Sequence, residues 1–469
     1  MSIYRYPRSP FHSFVNLKHP RLNALIYPFV SRINLSQAPN QWLQEYLSHI
    51  QPLTTAIQLD DDQLDVIFPE AVLDVYPQLQ SVFLCNIPDE NAKCFLYLET
   101  FKTQLSVLKM VLTDYDVQTP EPHYSTLFRS DCSLQTLLLS NLFLPIENIQ
   151  PTLIKHLTVY NLYRFHHLFL LFEHLPLVEY MKIRINSLPY STDECDYKMS
   201  DNLLSKQLHT FDLQISYYLD ENMYNYLELL ILQFFTSLKN LTMDILLKNL
   251  LNGKRLEKFF RLKQFHFRIQ MILPSDNLFD MSTFPTDLQI ISYTNHQENT
   301  QTLLTLPNTF ETFDQISSDI VNYHSNINNP IKLIKVKQIK LYDTRSYTLK
   351  FFNFIKQTFP CINTLEFFHY CYLTDDMIND DKITLDSIHS LFIHASLDYS
   401  RIKRLLLLTP NIKHLSTSYQ TLLILKQDLE NDINHYERLH RICQQIITLN
   451  IRSMNKGEMQ SIFLNATII

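Results

Sequence analysis

A short apolar phrase, L-x-x-L-x-L with any large apolar residue accepted at the lettered positions, returns along most of this chain. Clear copies begin at Leu79 (LQSVFL), Leu105 (LSVLKM), Leu134 (LQTLLL), Ile154 (IKHLTV), Leu208 (LHTFDL), Leu238 (LKNLTM) and Leu262 (LKQFHF). Others begin at Leu288 (LQIISY), Val336 (VKQIKL), Ile362 (INTLEF), Ile388 (IHSLFI), Ile412 (IKHLST) and Ile446 (IITLNI). Two looser copies, LVEYMK at Leu177 and FETFDQ at Phe310, keep the spacing regular. About fifteen copies at steps of about 26 residues mark a repeat architecture.

Alternation with period two puts the last two apolar letters of each copy on one face of a short strand and the residues between them on the other. Between copies, segments such as 165–176, 222–237, 346–360 and 400–410 have helical spacing, and several end at a proline, which stops a helix. Each repeat therefore reads helix, turn, strand. One repeat alone is unstable: burying about five side chains at roughly 1.5–3 kcal/mol each does not offset ordering about 26 residues at roughly 1–2 kcal/mol each. Stacking on neighbours is obligatory, and the predicted fold class is α/β, a curved parallel sheet lining a concave surface with helices outside.

Composition narrows the function. The chain has 469 residues, 46% hydrophobic, and a formal charge of −7, so it carries material for a large core but lacks the basic field that nucleic acid or an anionic membrane requires. Glycine occurs only at Gly253 and Gly457, too few for a P-loop, a dinucleotide-binding turn or a G-x-S-x-G elbow. Seven scattered cysteines, none spaced C-x-x-C, read as free thiols of a reducing compartment. The matches to the glycan-acceptor pattern at Asn34, Asn240 and Asn465 are accordingly read as chance. No signal-peptide pattern opens the chain and no apolar run approaches bilayer length, so a cytoplasmic or nuclear protein is expected.

On the L-x-x-L-x-L copies, residues 76–455 resemble the leucine-rich-repeat family, in an irregular form: the family's Asn after the strand has counterparts only at Asn141 and Asn161. The preceding residues differ in kind. Ser9 followed by Pro10 is a helix start, and the run Phe14-x-Asn16-Leu17 with Arg21-Leu22-Asn23-x-Leu25-Ile26 resembles the closing half of an F-box. Lys18 replaces the usual second Asn, one extra residue precedes Arg21, and the opening half with its Leu-Pro pair has no counterpart before Phe14. The resemblance implies an irregular leucine-rich-repeat solenoid with a short N-terminal helical F-box-like segment: 1–50 as F-box-like remnant or cap, 51–455 as repeats, 456–469 as C-terminal tail or cap. It further implies an adaptor, with Phe14, Leu17, Leu22, Leu25 and Ile26 docking Skp1 in a cullin ubiquitin ligase while the repeats hold a protein substrate. Two alternatives stay open: those five residues cap the first repeat instead, and the chain is a free-standing repeat scaffold.

Catalytic and metal-binding patterns are thin. His167 and His174, seven apart in RFHHLFLLFEH, and His369 with Cys371 in HYCY each lack a third ligand. The runs Asp60–Asp62, Asp375-Asp376 and Asp380-Asp381 lack the calcium-loop glycine and closing glutamate; the first suits a helix start and the others a solvated loop. Lys335, Lys337 and Lys340 read as a solvated strand face. The expectation is a non-enzymatic protein with no cofactor and no metal. The binding surface is placed on the concave face, in the residues between the apolar letters: His156, Tyr160, Asp212, Asp244, His266, Arg268, Lys340, Tyr342, Glu366, Phe368, His394 and His414. Aromatic, arginine and histidine side chains among hydrogen-bonding groups suit a protein partner.

Overall fold

The computed structural model describes residues 31–36, 38, 43, 48, 51–68, 75–88, 102–113, 127–142, 150–186, 207–249, 253–273, 284, 288–296, 299–306, 310–325, 331–342, 345–368, 372–379, 383–429, 432 and 435–452. The fold is mixed α/β, and the chain divides into two compact units, Met1–Lys248 with Phe259–Phe265, and Asn249–Lys258 with His266–Ile469.

In the first unit the strands β1 (Arg32–Asn34), β2 (Ala56–Asp60), β3 (Ser81–Pro88), β4 (Val107–Thr113), β5 (Thr136–Leu139), β6 (His156–Leu162), β7 (Tyr180–Ile185), β8 (Thr210–Leu219) and β9 (Asn240–Leu247) lie side by side in chain order. Every pairing among them is parallel. The apolar letters of the phrase form the core: Leu134, Leu137, Leu139, Ile154, Leu157 and Val159 are all buried. β1 lies inside the segment 1–50 that the sequence assigned to a helical cap, and it pairs Ile33 with Ile57 in the same register as the strands after it. β2 escaped the sequence reading because Thr54, buried, stands where the first apolar letter belongs.

A backbone relay marks the register. The carbonyl of the residue after the first letter accepts two successive N–H groups from the next repeat: Gln80 from Ser106 and Val107, Ser106 from Gln135 and Thr136, Lys155 from Glu179 and Tyr180. This relay corrects the copy placed at Leu177. Glu179 occupies the second position, so the phrase starts at Val178, and Val178, Met181 and Ile183 are the buried letters. Asn141 and Asn161 do meet, through a 3.2 Å side-chain bond from Asn161 Nδ2 to Asn141 Oδ1.

Helices cover the apolar side. Asp60–Asp62 leads, as expected, into a helical turn and α1 (Leu64–Ile67), with the Gln63 side chain accepting from the Asp60 N–H at 3.0 Å. α2 (Phe165–His174) stops just before Pro176. α3 (Glu221–Gln233) starts at Asp220, whose carboxylate accepts from the Met223 N–H at 2.9 Å, and it buries Met223, Tyr224, Leu227, Leu230 and Ile231. Phe172 of α2 sits between Phe211 (centroids 5.6 Å, edge-on) and Phe234 (4.5 Å, stacked).

His167 is also inside, fully buried on α2, so it is not half of an accessible metal pair with His174. Burial, helped by His166 and Arg164, pushes its imidazole down to about 3. A histidine with a depressed folded pKa is neutral in the fold, so folding is opposed once the unfolded chain takes up the proton. The first unit should therefore lose stability as pH falls from about 6.5 toward 3, with a slope approaching 1.4 kcal/mol per pH unit. His167→Leu should flatten that slope in denaturant titrations between pH 7 and 4.

The second unit opens with a short helix, α4 (Gly253–Leu256), and an antiparallel block. β10 (Gln264–Ile272) pairs with β12 (Thr300–Thr305), which pairs with β11 (Ile290–Asn295), which pairs with β14 (His324–Ser325). The copy placed at Leu288 is thus no parallel repeat: Ile290 to Tyr293 are all buried and no alternation survives. Buried polar groups are met internally, Gln301 Nε2 donating to Ser292 Oγ at 2.7 Å and Gln270 Nε2 to Thr300 Oγ1 at 3.1 Å. The reversal between β11 and β12 needs a left-handed residue. Asn299 takes it at φ 50°, and its amide donates to the Leu273 carbonyl at 2.7 Å. Asn86, in the irregular part of β3, is the other described non-glycine residue at positive φ.

The parallel pattern then runs through a six-stranded sheet of β13 (Thr312–Ile316), β15 (Gln338–Leu341), β16 (Thr364–Phe367), β17 (Ser390–Ile393), β18 (His414–Ser418) and β19 (Thr448–Arg452). The same relay recurs, from Glu311 through Lys337, Asn363, His389 and Lys413. α5 (Leu349–Thr358) is capped by Thr348 at 3.2 Å from the Phe351 N–H, and α7 (Tyr399–Leu408) by Asp398 at 2.9 Å from that of Arg401. The segment around Asp375, expected to be a solvated loop, instead forms α6 (Asp375–Asn379), with Asp375 and Asp376 exposed in its first turn. Arg404 of α7 is buried and spans two carbonyls, Nε donating to that of Met377 at 2.7 Å and Nη2 to that of Ile383 at 3.1 Å. α8 (Tyr419–Leu429) and α9 (Tyr436–Gln444) follow. Between them Asp432 gathers Tyr399, Lys403 and His435 at 3.0–3.2 Å; burial raises its carboxyl, but the three donors outweigh this and hold it at about 2. Among the described residues no helix is long and apolar enough to cross a membrane.

Candidate protein-recognition site

Residues between the buried letters alternate onto the opposite face of each sheet. In the second unit this builds a compact cluster. Tyr342, Phe368 and His394 each stand one residue past the end of β15, β16 and β17, and parallel register aligns them. The Tyr342 and Phe368 rings stack at 4.3 Å and 11°, and Phe368 and His394 at 4.3 Å and 17°. Adjacent strands lie about 4.8 Å apart, so these rings are stacked along the direction that crosses the strands and turn their edges outward. Lys340 lies 5.8 Å from the Phe368 centroid. Beneath, Glu366 is 9% exposed and both its oxygens are used: Oε1 at 2.7 Å from His394 Nε2, Oε2 accepting from Gln338 Nε2 at 3.1 Å.

Sequence reasoning had selected Lys340, Tyr342, Glu366, Phe368 and His394, and the fold brings all five together. It missed Gln338 and Phe392, which occupy the same offsets in their strands. His414, exposed at the start of β18, stands apart from the stack. His266 and Arg268 sit in β10, where Arg268 is 7% exposed with its guanidinium 5.3 Å from the Phe313 centroid, so it serves the interior. Burial and then Lys335 lower the His266 imidazole.

In the first unit His156 and Tyr180 stack at 6.2 Å, and Tyr160 is 46% exposed. Lys182 pairs with Asp212 at 3.3 Å; burial raises the Asp212 carboxyl and Lys182 pulls it back. Asp244, selected from sequence, is buried in β9. Phe14, Leu17, Leu22, Leu25 and Ile26 lie outside the described residues, as do His369, Cys371, Asp380, Asp381 and residues 456–469.

No protein-family model and no curated protein matches this chain. Its chemistry must be read from its own side chains. Among the described residues no group of three or more His, Cys, Asp or Glu is placed to hold a metal ion. Of the basic strand-face residues, Lys337 is engaged with Glu311 at 2.9 Å. Cys85, Cys132, Cys361 and Cys443 are free thiols, and burial pushes the Cys443 thiol up to about 11, away from nucleophilic use.

Proposed function

We propose that this chain is a non-enzymatic protein-recognition adaptor built as an irregular leucine-rich-repeat solenoid, in the manner of an F-box-type substrate receptor of a Skp1-cullin ubiquitin ligase. The observation that carries the recognition half is the Tyr342–Phe368–His394 stack. Three rings held at 4.3 Å by in-register strands have little rotamer freedom left to lose, so contact with a partner costs little further ordering. Rings beside a cation and a buried carboxylate are the composition of an interaction hot spot. The adaptor half rests on the resemblance of Phe14 to Ile26 to the closing half of an F-box.

Phe368→Ala should lower recovery of the protein partners that co-purify with the full-length chain from its own cells by about tenfold or more, the loss of about 1.4–2 kcal/mol expected at a hot spot. Leu229→Ala, 53% exposed on α3, should leave recovery unchanged. Equal recovery with Phe368→Ala would remove the stack from the interface. Co-purification with Skp1, lost on Leu17→Asp and Leu22→Asp, supports the receptor; no Skp1 binding at any concentration tested removes it. A second reading, a free-standing scaffold, is favoured by β1: its pairing with β2 carries the repeat register to within a few residues of Ile26, where a cap is needed.

A further inference from the structure

The chain as a whole is acidic, yet the outward face of β3 to β7 in the first unit reverses that sign. Its outward positions are Ser81, Phe83 and Cys85; Val107, Lys109 and Val111; Thr136, Leu138 and Ser140; His156, Thr158 and Tyr160; Tyr180, Lys182 and Arg184. None is a carboxylate. Asp60 on β2 and Asp212 on β8 bound the stretch on either side. Register sets one file across it, Phe83, Lys109, Leu138, Thr158, Lys182, Asp212. Lys109 is exposed, and its described contact is the face of the Phe83 ring, 5.8 Å from the centroid. Lys182 shares its charge with Asp212.

We infer that this file takes an extended acidic peptide of the partner protein, with carboxylates four residues apart around an apolar residue. Lys109 and Lys182 are three strands apart, about 14 Å at strand spacing, and an extended peptide advances about 13 Å in four residues with residues i, i+2 and i+4 on one side. The first carboxylate meets Lys109, the apolar residue covers Leu138 and Thr158, and the second carboxylate meets Lys182. Asp212 repels a further acid and so ends the motif. Complementary charge here sets specificity and association rate more than raw affinity. The inference rests on the recognition reading but on a different unit from the ring stack.

The test uses the full-length chain and a capped, fluorescein-labelled nine-residue peptide with Asp at its third and seventh positions, Leu at the fifth and Ser elsewhere. Fluorescence anisotropy should show saturable binding that weakens at least tenfold with Lys109→Glu, with Asp→Asn in the peptide, and on moving one Asp by a single position. The peptide changes cannot unfold the protein, and an unchanged denaturation midpoint certifies Lys109→Glu. Absence of saturable binding, or equal binding by Lys109→Glu, overturns the inference. So does equal binding by the register-shifted peptide, which would show only general attraction to acid. Leu229→Ala should leave peptide binding unchanged, and because the peptide assay reads the first unit while partner recovery with Phe368→Ala reads the ring stack, failure here and failure of the recognition reading are separate results.

Discussion

Arg404→Ala is expected to destabilise the second unit by about 3–5 kcal/mol, near the upper end for a single substitution. Arg404 is 1% exposed and its guanidinium spans the carbonyls of Met377 and Ile383, joining α7 to the repeat before it. Truncation removes charge-assisted hydrogen bonds, leaves buried acceptors without donors and opens a cavity beside Met377. Arg404→Lys should recover little, because an ammonium cannot reproduce the two-point geometry of a guanidinium. Urea or guanidinium titration of both variants checks this. A shift below about 1 kcal/mol for Arg404→Ala would mean that water takes over both carbonyls without loss.

Phe172→Ala should cost the first unit a similar amount, about 3–5 kcal/mol. The ring contributes area, and also the contacts with Phe211 of β8 and Phe234 beyond α3, so its loss uncouples one helix from the two elements that follow. Phe172→Leu should restore roughly half, since volume returns but ring contact does not. Because the chain has two compact units, the transition that moves identifies the unit affected: Phe172→Ala one, Arg404→Ala the other. A single transition shifted equally by both would show that the two unfold together.

The phrase was legible because burial repeats it so strictly. Leu137, Leu157 and Leu365 are 0% exposed and Leu415 2%, each at the fourth position. The helices at 165–174, 221–233, 349–358 and 399–408 were legible for a related reason: caps and prolines bracket apolar residues at helical spacing. Three things were not. Leu288 fits the phrase but opens an antiparallel strand, because an apolar run buried on both faces carries no sign of strand direction. Val178 was displaced to Leu177 because both are apolar and only the backbone bonds of Glu179 and Tyr180 tell them apart. β2 was passed over because Thr54 is buried where a leucine was sought.

Of the candidate recognition face, period two told which side a residue takes, and so found Tyr342, Phe368 and His394 together. It could not tell how much its neighbours cover it. Asp244, Arg268 and Glu366 hold outward offsets and are nevertheless nearly inaccessible, the last under Gln338 and His394. Lys109 and Leu138 went unselected because no single strand reveals that five in succession lack a carboxylate; that is a property of register.

The doubled acceptor at the start of each strand separates two demands that usually compete. Alignment between successive parallel strands runs through amide and carbonyl groups that every residue except proline supplies in full, so the relay itself does not require a particular side chain at the acceptor positions. Exchanging Gln80 or Lys155 would leave the carbonyl acceptor in place, whereas Ser106 and Asn363 also bond through their side chains, Ser106 Oγ donating to the Gln80 carbonyl at 3.2 Å and Asn363 Oδ1 accepting from Thr364 Oγ1 at 3.0 Å. Proline is the exception: at Asn363 it would remove one of the two donors and break the alignment with Lys337.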